Sequence, residues 1–134
     1  MNAELHLRIV GAALILLALA HVVFPRHFRW RDELASLSLI NRQIMKVHTL
    51  FIALTVLLMG VLCLSSAADL VATPLGRRVT LGLAIFWFFR LVIQFFGYSS
   101  ELWRGKPFET AVHVLFGGFF CYVTVVLALV AFGV

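Results

Sequence analysis

The sequence is poor in what a soluble domain or a thiol enzyme needs. Charged residues make up 13% of the 134, only six residues are acidic, and there are two cysteines and three prolines. Cys63 and Cys121 stand in separate apolar runs and form no C-x-x-C pair, which argues against a membrane thiol–disulfide oxidoreductase. Both read as small apolar side chains buried between helices. The shortage of acid argues against a second class. A four-span proton-coupled exporter is expected to carry a carboxylate inside an early span, and the first two apolar runs hold none. There is no internal repeat, no low-complexity tract and no nucleic-acid module, so the excess of basic residues has another purpose.

Apolar residues are abundant instead. They account for 63% of the chain, and the mean hydropathy is +1.05. A domain this small leaves too much of its surface exposed to hide that much apolar area from water, so its solvent is a bilayer. Four runs are long enough to cross one: 5–24, 44–64, 79–98 and 108–132. The predicted fold is an all-α integral membrane protein, a single four-helix bundle over 1–134. The first run is too long for the apolar region of a signal peptide and lacks a small-x-small cleavage site, so it reads as a retained span.

The polar residues concentrate in the connections. Between spans one and two lie Arg26, His27, Arg29, Trp30, Arg31, Asp32 and Glu33, then Asn41, Arg42, Gln43 and Lys46. From Asp32 onward, Leu34, Leu37 and Ile40 share one helical face, which predicts a short amphipathic helix on the membrane surface. In 65–78, Ala-Asp and Thr-Pro-Leu-Gly read as turn signals. Pro107 marks the start of the fourth span, where its missing N–H costs little. Lysine and arginine crowd the 25–46 and 99–108 connections, while Arg8, Arg77 and Arg78 lie at the other end. The positive-inside rule then puts both crowded connections in the cytoplasm of a bacterial-type inner membrane and both termini outside.

Within the spans, small residues and polar residues mark the inward faces. Gly11, Ala18 and Pro25 are seven apart and suit close helix packing. Asn41, Met45, His48, Ile52, Thr55, Met59 and Leu62 form a heptad-like stripe expected to face the interior of the bundle. Arg90, Gln94 and Gly97 share a face of the third span, and Glu109, His113, Gly117 and Cys121 recur every four residues along the fourth.

Depth ties these positions together. At ~1.5 Å rise per residue, His21, His48, Gln94 and His113 each fall about 6–7 Å inside the cytoplasmic end of their spans, and Arg90 falls about 12 Å inside. Every span therefore contributes a polar group near one level. The sharpest reading is a metal site in which His21, His48, His113 and Glu109 hold zinc, iron or copper. Arg90 and Gln94 would then act on a lipid or quinone-like membrane-soluble substrate, in redox or hydrolytic chemistry. A b-type haem between two of the histidines is a weaker alternative. The competing account makes the layer interhelical glue, with Arg90 paired to Glu109, in a non-catalytic accessory subunit of a homo-oligomer or larger membrane complex.

The topology has a direct test. Single cysteines replacing Ser36 and Ser100 should react with a membrane-impermeant maleimide from the cytoplasmic side only, and cysteines replacing Asn2 and Ala68 from the opposite side only. The reverse pattern would overturn the orientation.

Overall fold

The computed structural model describes all 134 residues and contains no strand. Four helices are long and apolar enough to cross a membrane: α1 (Ala3–Ala20), α4 (Leu39–Ser65), α6 (Pro74–Phe96) and α7 (Pro107–Phe132). Helix is the expected solution, since a lipid-facing backbone must satisfy its own N–H and C=O groups. Three short helices fill the connections: α2 (Phe24–His27), α3 (Trp30–Glu33) and α5 (Ala67–Ala72), with a 3-10 turn at Ser100–Leu102. The chain forms two compact units, Arg8–Ser66 and a second that joins Met1–Leu7 to Ala67–Val134.

In the Arg8–Ser66 unit, α1 and α4 meet backbone to backbone. A Cβ on Gly11 would lie 2.7 Å from the Gly60 carbonyl oxygen, and one on Gly60 would lie 2.8 Å from the Gly11 oxygen. Leu14 and Ala18 continue the buried face of α1, and Val56, Gly60 and Cys63 form that of α4. Gly11 and Ala18 thus do what their spacing predicts. The heptad stripe of α4 does not. Asn41, Met45, His48, Ile52 and Thr55 are all exposed, and the buried stripe runs about one residue, or ~100°, around the helix. The small residues decide the face because they allow the closest approach. The hydroxyls need no interhelical partner, since Thr49 and Thr55 each donate to the carbonyl four residues back, at 2.8 Å.

The short amphipathic helix expected from Asp32 onward is divided, with α3 ending at Glu33 and α4 beginning at Leu39. Arg29 takes a left-handed conformation, φ 53°, which separates α2 from α3. Ser38 then caps α4 by accepting from the Asn41 N–H, so the second span starts well before residue 44.

In the other unit, α6 and α7 form an antiparallel pair, with α5 packed against α6. The 65–78 stretch is helical apart from brief breaks. Thr-Pro-Leu-Gly is a helix start: the Thr73 hydroxyl accepts from the Gly76 N–H at 2.9 Å, and Pro74 occupies the first turn. Gly76 carries no side chain because one would strike the backbone of Asp69 and Leu70 in α5. On α7 the four-residue stripe is buried only at its middle. Glu109 is exposed, His113 half-buried, Gly117 buried and Cys121 exposed. Steps of four overshoot a 3.6-residue turn by ~40° each, so a long run of them winds off any one face. Cys63 is buried as expected, and Cys121 is not.

Glycine substitutions separate these contacts. Gly60→Ala should destabilise the protein by about 1–3 kcal/mol, because its new methyl meets backbone that cannot move aside. Gly82→Ala and Gly118→Ala, where nothing lies within 4 Å, should leave it unchanged or slightly stabler. Thermal unfolding in detergent measures all three.

Candidate functional site

The buried polar residues are few: Thr80 and Gln94. Thr80 is satisfied within α6 by the Gly76 and Arg77 carbonyls. Gln94 is the centre of a polar chain that links α6 to α7. Its Oε1 accepts from Arg90 Nη1 at 3.2 Å, and its Nε2 lies 3.0 Å from His113 Nδ1 and 3.5 Å from the His113 carbonyl oxygen. Both helices bring these residues to the same height. Arg90 is six residues from the end of α6 and His113 six from the start of α7, about 9 Å in each case.

The chemistry of the three groups fixes the direction of the chain. A guanidinium has only donors, so the amide must turn its oxygen toward Arg90. Its NH2 is thereby committed to His113, whose Nδ1 must accept. The imidazole is then the neutral tautomer with its hydrogen on Nε2.

Aromatic rings surround the chain. The Arg90 guanidinium carbon sits 4.3 Å from the centroid of the buried Phe120 ring and 5.9 Å from that of Tyr98. Trp87, also buried, stacks on Phe120 at 5.6 Å. Trp103 lies almost flat on His113, with centroids 3.8 Å apart and planes 9° apart. The Thr110 hydroxyl holds the Trp103 loop in place by donating to its carbonyl at 2.6 Å. Phe95 meets the His113 ring edge-on, in space that Gly117 leaves free. Trp103 has the sequence signature of a membrane-belt residue. Ten residues and a turn separate it from His113, and no periodicity relates the two.

Of the expected site residues, Arg90, Gln94 and His113 come together. Glu109 is on the same pair of helices but exposed, and no ion pair joins it to Arg90; the ion pair present is Arg29–Asp32, 3.0 Å. His21 and His48 belong to the Arg8–Ser66 unit. His21 lies just past the end of α1 and donates from Nδ1 to the Leu17 carbonyl at 2.8 Å, while its ring packs on Phe24. His48 is exposed on α4. Within neither unit do three His, Cys, Asp or Glu side chains gather in a group that could hold a metal ion. His6, unremarkable by sequence, is half-buried, with Nδ1 2.8 Å from the Tyr122 hydroxyl.

Compared with protein families, with curated proteins and with solved structures, the chain shows no significant match. Its functional reading therefore rests on its own residues.

Gln94→Leu should cost about 1–3 kcal/mol, because it strands both an arginine donor and an imidazole acceptor. In a double-mutant cycle with His113→Phe, the two changes should couple by about 0.6–1.7 kcal/mol in detergent unfolding. Strict additivity would sink the Gln94–His113 bond.

Proposed function

We propose that this polytopic membrane protein takes a membrane-soluble, lipid- or quinone-like ligand at Arg90 through an oxygen-bearing group such as a carbonyl, carboxylate or phosphate. One observation carries this reading. The Arg90 guanidinium lies half-buried in a membrane-length helix, spends one hydrogen bond on Gln94, and has no acid partner within its unit. Arginine stays charged and offers five donors in a rigid fork, so most of its hydrogen-bonding capacity is uncommitted. An intramembrane charge without a counter-ion marks a functional site. Gln94 holds the guanidinium in place, and the neutral His113 retains an N–H at Nε2 as a further hydrogen-bond donor.

Metal-supported redox or hydrolytic chemistry at His21, His48, His113 and Glu109 gains no support from the distribution of those residues between the two units, nor from the occupied His113 Nδ1. The accessory-subunit reading has one observation in its favour: the Gln94–His113 bond and the Trp103 stack both fasten the α6–α7 hairpin. For location, the cluster of arginines between α1 and α4 favours an inner membrane with both termini on the non-cytoplasmic side.

Arg90→Gln separates the readings. A ligand site predicts that lipid extracts of purified wild-type protein contain a bound amphiphile that the variant lacks, with little change in melting temperature. The accessory reading predicts a lower melting temperature and identical extracts. Stoichiometric zinc, iron or copper, or a Soret band, in the wild-type protein would overturn the ligand reading in favour of a metal or haem centre.

A further inference from the structure

The Arg8–Ser66 unit contains a cavity of about 1040 Å3 that shares no residue with the Arg90–Gln94–His113 chain. Its lining divides by chemistry. Arg26, Arg29, Arg31, Arg42 and Lys46 supply five cations against one acid, Asp32. That carboxylate is already engaged by Arg29. Arg42 spends one donor on the Ala35 carbonyl at 3.2 Å, and no acid in the unit engages Arg26, Arg31 or Lys46. The rest of the lining is largely apolar: Val22, Pro25, Leu39, Leu50 and Ala53, the last two well inside the span of α4.

The fold assembles this arrangement actively. The left-handed turn at Arg29 places two short helices in succession, and both carry arginines that line the cavity. Arg42, Lys46, Thr49 and Ala53 of α4 succeed one another at helical spacing, so the wall changes from cationic to apolar along the helix. Five cations around one cavity repel one another unless an anion joins them. An anion alone would leave the apolar wall facing water.

We propose that this cavity binds a phosphate-headed anionic lipid, with the phosphate among the cations of α2, α3 and the first turns of α4, and the acyl chain along Leu50 and Ala53. Basic pockets at the headgroup level of membrane helices suit this ligand, each cation contributing through charge and phosphate hydrogen bonds. The shared chemistry with free phosphate is the oxyanion, and the apolar wall is the feature that selects the lipid.

The test uses the full-length protein in a non-ionic detergent, titrated with phosphatidic acid, phosphatidylcholine or inorganic phosphate and read by native mass spectrometry. Phosphatidic acid should bind at least about ten-fold more tightly than either other probe, and binding should weaken as salt rises. The double variant Arg42→Gln/Lys46→Gln should weaken it by about 25-fold, at about five-fold per cation. Arg104→Gln/Lys106→Gln, at positions outside the cavity, should leave affinity unchanged. Melting temperatures of both variants within a degree or two of wild type would exclude unfolding as the cause. The proposal is overturned by equal binding of phosphatidylcholine or by an equal loss in the Arg104/Lys106 variant. Inorganic phosphate binding as tightly as the lipid would also overturn it, since the apolar wall would then play no part.

Discussion

The α6–α7 unit is organised around a charge that has to be accommodated without an opposite charge. Arg90 is inside a stretch, 85–93, otherwise made of Phe, Trp, Leu, Val and Ile, and the acid on the partner helix, Glu109, is not used. The surroundings accommodate it by softer means: the negative face of the Phe120 ring and the oxygen of a buried amide. Each of these has its own supports. Phe120 is held by Trp87, and the amide by His113, which is covered by Trp103. Removing the charge would leave Gln94 free to turn over and His113 free to change tautomer, so the order of the whole chain descends from the arginine.

The other unit depends on contact between backbones. Gly11 and Gly60 bring α1 and α4 together so closely that the choice of face is settled there, before any side chain is considered. Thr49 and Thr55 of α4 bond to their own helix and make no demand on a neighbour. Packing in a membrane lacks the hydrophobic drive that sorts residues in water, so steric fit outranks polarity in deciding what faces inward.

This ranking explains what could be read from the chain alone. The four spans follow from length and composition, and Gly11, Ala18, Arg90, Gln94 and His113 follow from spacing and depth. The polar stripe of α4 is not its inward face, because small size rather than polarity decides which face packs. The Glu109–Cys121 stripe leaves the buried face at both ends, because repeated steps of four do not track a helix. Thr73-Pro74 was ambiguous, since the pair that closes a turn also opens a helix. Trp103 over His113, and the cavity between the short arginine-bearing helices and α4, arise from connections whose path no local pattern encodes.

The orientation of one amide has a further consequence. With one lone pair of the Gln94 oxygen taken by Arg90 and the His113 Nδ1 lone pair taken by Gln94, most of the unused capacity of the chain is guanidinium N–H and imidazole N–H. A surface that mainly donates discriminates by redox and protonation state as much as by shape. It favours a ketone over the corresponding alcohol and a carboxylate over its acid.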